Sequence, residues 1–92
     1  MLITEIRRRF QVTQDHGLHL RLATRFARLA SLFESEVIVS SGDRLANGKS
    51  TLDLLSLAAS RGDWLDLEAR GADADVAVAA LAELVASWYS DE

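Results

Sequence analysis

Along this chain the apolar residues recur at every second position in some stretches and at every third or fourth in others, and that alternation limits the fold more than any single motif. From Thr4 to Val12 the even positions hold Thr, Ile, Arg, Phe and Val, the pattern of a half-buried strand interrupted on its inward face only by Arg8. Polar residues and a glycine follow from Thr13 to Leu18. Leu22, Phe26, Leu29, Ala30 and Phe33 then share one face of a helix expected from about Leu20 to Phe33. Glu36 to Ser40 is rich in β-branched residues, Ser41-Gly42-Asp43 turns the chain, and Arg44-Leu45-Ala46 returns it as a hairpin. Asn47-Gly48 ends that strand. Ser50-Thr51-Leu52-Asp53 resembles a capping box opening a short helix to about Ala58. Leu65, Leu67 and Ala69 alternate with polar neighbours as another strand, and Gly71-Ala72-Asp73 supplies a stop and an N-cap. Ala77, Leu81, Leu84, Val85 and Trp88 complete a last helical face. Trp64 and Trp88 are expected as core or partly buried packing residues and not as a ligand box.

The order strand, helix, strand, strand, helix, strand, helix implies an α+β layer packing, with helices on one face of a largely antiparallel sheet. Ninety-two residues suit one domain over 1–92, without repeats or linkers. The chain has no cysteine, which excludes disulfides and thiol chemistry, and no apolar run long enough for a membrane span. The short apolar start, with arginines after it, does not read as a secretory signal, so a cytoplasmic location is expected. Arg7-Arg8-Arg9 lies in a strand, where neighbours point to opposite faces, and reads as a solvated edge and not as a nucleic-acid patch.

Charge is unevenly placed. Residues 1–50 carry eight Lys/Arg against five Asp/Glu, whereas 51–92 carry two against nine, so the halves are +3 and −7. The basic half holds the one reactive cluster, Asp15-His16-Gly17-Leu18-His19-Leu20-Arg21. His19 falls at or beside a helix N-terminus, where unpaired amides and aligned dipoles receive anions, phosphate above all. The same field disfavours an imidazolium and keeps the ring neutral, with a lone pair free to attack. Arg21, in the first turn, can bring its guanidinium fork onto phosphoryl oxygens. Arg21, Arg25 and Arg28 form a basic stripe suited to an acidic protein partner. No base, metal cluster or glycine-rich nucleotide loop accompanies them, so the chemistry suggested is phosphoryl acceptance without hydrolysis and without a cofactor. His16 and His19, with no Cys or third His as partner, fall short of a metal site unless Asp15 joins them.

These residues resemble the HPr family of histidine-containing phosphocarriers of the bacterial sugar phosphotransferase system. Gly17-Leu18-His19-Leu20-Arg21-Leu22-Ala23 is similar to the signature Gly-Leu/Ile-His-x-Arg-Pro-Ala. Asn47-Gly48-Lys49-Ser50 with Leu52 is similar to the second signature, and Gly71, Asp73, Ala77, Val78 and Leu81 match the opening of the final helix. The resemblance implies an open-faced β-sandwich, βαββαβα, with four antiparallel strands and three helices. It implies a carrier, not an enzyme, phosphorylated on the pros nitrogen of His19 with Arg21 on the phosphate. Enzyme I is the implied donor and enzyme II A components or related regulators the acceptors, docking on Leu20, Arg25, Arg28, Lys49 and Leu52. Ser50 is the implied regulatory site of an HPr kinase/phosphorylase, and the protein is expected to be a monomer binding neither nucleic acid nor membrane. Leu22 replaces the family proline, His16 a small or polar residue, and Gly48 an Ala or Ser. The rival expectation is a degenerate HPr-like module that binds acidic partners through the basic helix and Leu52 without passing phosphate on. Whether residue 19 accepts phosphate separates the two.

Overall fold

A computed structural model describes residues 4–88 and gives the order β1 (Glu5–Gln11), α1 (Leu20–Ala30), β2 (Glu36–Ser41), β3 (Arg44–Asn47), α2 (Thr51–Ser56), β4 (Trp64–Arg70), α3 (Ala74–Ser87). The strands form one antiparallel sheet in the order β1-β4-β2-β3. β4 sits inside it, and its alternation is accordingly the cleanest in the chain: Leu65, Leu67 and Ala69 are wholly buried, while Trp64, Asp66 and Arg70 face out. In register, Phe10 meets Leu65, Leu67 meets Val39, and Ala69 meets Val37, so one face of three strands is apolar except where Arg8 stands opposite Leu67. The hairpin closes through Gly42 at φ +61, the left-handed backbone that a two-residue turn needs at its first position.

The arginine triplet divides between faces as a strand requires. Arg7 Nε lies 2.8 Å from Glu68 and Arg9 Nε 3.7 Å from Asp66 on the open face, while Arg8 runs along a shallow cleft beside Phe10, Leu67 and Val85 under α3. Trp64 is the partly buried one of the two tryptophans. It is half exposed on the open face, with the Arg9 guanidinium 5.1 Å from its ring centroid, because its position in β4 points away from the helices. Trp88 is a core residue, edge-on to Phe10.

All three helices cover the other face, with α3 on β1 and β4, and α1 against α2 and α3. α1 ends at Ala30, earlier than expected. The Ser31 hydroxyl bonds the Ala27 carbonyl at 2.7 Å, and the amides of Leu32 and Phe33 reach back only three residues, which tightens the end of the helix into a turn. Its buried stripe is Leu22, Ala23, Phe26, Ala27 and Ala30, with Leu29 and Phe33 half-buried. α2 likewise stops at Ser56, because Ala58 turns into left-handed backbone at φ +51.

Asp73 stands at the N-cap of α3, but its side chain makes no cap bond. Its carboxylate accepts from the Glu34 amide (2.9 Å), the Ser35 amide (2.9 Å) and the Ser35 hydroxyl, tying α3 to the α1–β2 turn. The Ser35 hydroxyl, then the Glu34 amide, hold that carboxyl below its ordinary value. Gly71 permits this contact, since a Cβ there would stand 2.9 Å from the Ser35 Cα.

Candidate functional site

The site is built where β1 runs out. Val12 and the 62–63 segment exchange backbone bonds of 2.9 and 2.8 Å, and the chain then crosses to α1 through Thr13–Leu18. That loop is strapped to the α2–β4 connection. Leu18 N–H donates to the Ala59 carbonyl at 3.1 Å, Asp15 pairs with Arg61, and Gly17 packs directly on the same carbonyl. Gly17 has φ +69, and a Cβ added to it would lie 2.2 Å from the Ala59 oxygen, so only glycine fits. The Gln14 amide, 5% exposed, donates to the Trp88 carbonyl at 2.5 Å.

His19 is the N-cap of α1, with extended backbone (φ −88, ψ 174) and no side-chain cap bond. The first intrahelical bond runs from the Ala23 amide to the His19 carbonyl at 2.9 Å, so the amides of Leu20, Arg21 and Leu22 open the helix ahead of it. No acidic residue occupies that first turn. A capping serine or aspartate would have spent its oxygen on those amides; a half-exposed imidazole leaves them to an incoming anion. Burial lowers the His19 pKa below its ordinary value, the Arg21 charge adds to the effect, and His16 adds a third contribution. The direction is the one expected of a helix start, but the main cause is the ring's partial burial. Arg21 and His16 are both exposed beside the ring. Leu22, in place of proline, has a fully buried side chain and serves the core. Among the described residues no group of three or more His, Cys, Asp or Glu is placed to hold a metal ion.

The second expected site lies at the start of α2, which packs against α1. Ser50 caps it by accepting from the Asp53 amide at 3.2 Å. The reciprocal arm of the box goes elsewhere: the Asp53 carboxylate accepts from the Asn47 amide at 3.1 Å, while the Ser50 amide bonds the Asn47 carbonyl. Gly48 in place of a larger residue has a steric reason, because a Cβ there would lie 2.5 Å from Val37 Cγ1 and 3.1 Å from its Cβ. Of the expected docking residues, Leu20 and Leu52 are 62% and 78% exposed, and Arg25 and Arg28 lie on the outer face of α1. Lys49 is partly committed inward, its ammonium 2.6 Å from the Phe33 carbonyl. Sequence reasoning passed over Gln14, Ala59 and Arg61, whose partners lie far away along the chain.

The family model described as PTS HPr component phosphorylation site matches residues 6–87. The phosphocarrier protein HPr of Neisseria meningitidis serogroup A is 36% identical over 86 residues, covering 94% of this chain and 97% of that one. The phosphocarrier protein NPr of Shewanella violacea is 35% identical over 89 residues, covering 97% and 98%. In structure, HPr-C-His from Thermoanaerobacter tengcongensis superposes with a TM-score of 0.87 at 32% identity, covering 95% and 98%.

Proposed function

The chain belongs to the HPr family of phosphocarriers of the phosphotransferase system, and we propose that His19 is the side chain on which it carries the phosphoryl group. The observation that supports this reading most is a half-exposed, pKa-lowered imidazole at a helix start that has neither a side-chain cap bond nor an acidic residue in its first turn. The ring is neutral near pH 7, so its pros nitrogen has a lone pair to attack phosphorus. As that N–P bond forms, the bond from phosphorus to the phosphohistidine of enzyme I breaks. Arg21 and the opening amides of α1 take the negative charge on the equatorial oxygens. Nothing in this arrangement activates water, which suits a carrier that must hold its cargo until a partner takes it.

Transfer onward to an enzyme II A component is the same displacement with the roles reversed. Docking in both directions uses Leu20 and Leu52 as apolar anchors with Arg25, Arg28 and Lys49 around them, a basic face for acidic partners. Ser50 is the candidate target of an HPr kinase/phosphorylase. The setting is the cytoplasm, with the protein acting as a monomer. Incubation with phosphoenolpyruvate and enzyme I should add one acid-labile phosphoryl mass, and His19→Ala should abolish it. Equal labelling of His19→Ala would overturn the assignment.

A further inference from the structure

Gln14 is the one polar side chain of the site loop that is both buried and bonded to a distant element. Its bond to Trp88 spans 74 positions. An amide donor left unpaired in the interior costs more than a made bond gains, so this bond persists wherever the loop is in place. Its location adds meaning. Trp88 is the C-cap of α3 and is 3% exposed, with its ring 6.4 Å from that of Phe10 and 6.5 Å from that of Phe26. Phe10 is in the strand that feeds the loop, Gln14 is in the loop, and Phe26 is in the helix that His19 opens. One residue therefore touches the chain before, within and after the site. The Gly17–Ala59 contact holds the loop's other end.

We propose that Gln14 is a positioning residue for phosphoryl transfer, its bond to Trp88 fixing the tilt of the Thr13–Leu18 loop and hence the seat of the His19 ring against the opening amides of α1 and Arg21. The inference rests on His19 being the phosphoryl acceptor. Because Leu20, Arg28 and Leu52 are exposed and Gln14 is buried, Gln14 acts on the ring's orientation and not on docking.

Gln14→Met, which keeps length and volume but removes the donor, provides the test. Transfer from phosphorylated enzyme I should show kcat lowered by about five- to thirty-fold, the scale of one or two lost polar contacts, with KM unchanged. The His19 titration followed by NMR should move up toward the ordinary imidazole value as the ring leaves its partly buried seat. Gln14→Ala should show the same two changes. Transfer within twofold of the parent with an unmoved titration would overturn the proposal, as would a rise in KM at constant kcat, or a Gln14→Met protein that fails to fold and so makes the residue merely structural. His19→Ala, labelled in parallel, separates the two failures: phosphate on that variant sinks the acceptor assignment, whereas a normal Gln14→Met sinks only the positioning role.

Discussion

Two helices that pack against each other in this molecule, α1 and α2, are finished at their starts in opposite ways. At α2, Ser50 bonds the Asp53 amide and Asp53 puts a carboxylate into the first turn, so the positive end of the helix is already satisfied. At α1, the cap residue is His19, which bonds none of the opening amides, and the first turn carries Arg21 and no acid. The difference shows how a fold can leave the opening amides of one helix without a side-chain cap while capping those of another. An uncapped start is slightly less stable, and the loop before α1 is held instead by Gly17 on Ala59, Asp15 on Arg61 and Gln14 on Trp88. Support that a cap would give from within the helix comes here from other parts of the chain.

The contrast can be broken at several points. The largest effect is expected from Gly17→Ala, where positive φ and a Cβ 2.2 Å from a carbonyl oxygen combine. Stability to urea should fall by about 3 kcal/mol or more, whereas Gly42→Ala, with open space around it, should lose far less. Equal losses would mean that the clamp on Ala59 is not what holds the loop. Arg21→Ala comes next: charge-assisted contacts to phosphate are worth about 1.5–3 kcal/mol, so transfer should slow roughly ten- to a hundred-fold. The same change should raise the His19 pKa, because a neighbouring cation is removed.

A third comparison sets the two caps against each other. Ser50→Ala should cost about 1 kcal/mol, measured by thermal or urea unfolding, while His19→Ala should leave stability nearly unchanged, since no cap bond is lost. A larger loss for His19→Ala would show that the ring supports its helix after all. The smallest effect is expected from His16→Ala, an upward shift of the His19 titration below that caused by Arg21→Ala, in keeping with the order of their contributions. The sign for folding follows. A histidine whose pKa is lowered in the folded state binds fewer protons there than in the unfolded chain. Its contribution is therefore fully present above the ordinary imidazole value and is lost as pH falls through the lowered one. An increase in stability on acidification across that range, absent in His19→Ala, would contradict it.

Residues close together along the chain could be read in advance. The alternation of Leu65, Leu67 and Ala69, the apolar stripe of α1 and the short distance from Gly17 through His19 to Arg21 are local, and local spacing sets which face of a strand or helix a side chain takes. The same reasoning placed Ser50 as a cap. It overextended α1 and α2, because their last turns are ended by Ser31 and by left-handed Ala58, neither of which is a strong stop signal. It placed Asp73 at the start of α3 but could not foresee that the carboxylate would turn away to Ser35, 38 positions earlier.

By itself, then, the order of residues determined the elements, the buried faces and the chemistry available at position 19. Tertiary structure alone decided how that chemistry is held: Gly17 against Ala59, Gln14 under Trp88, and Lys49 drawn inward to Phe33. The reason is physical. A backbone pattern depends on neighbours within a turn or two, whereas a buried donor takes whichever acceptor packing brings to it, and that acceptor can lie anywhere along the chain.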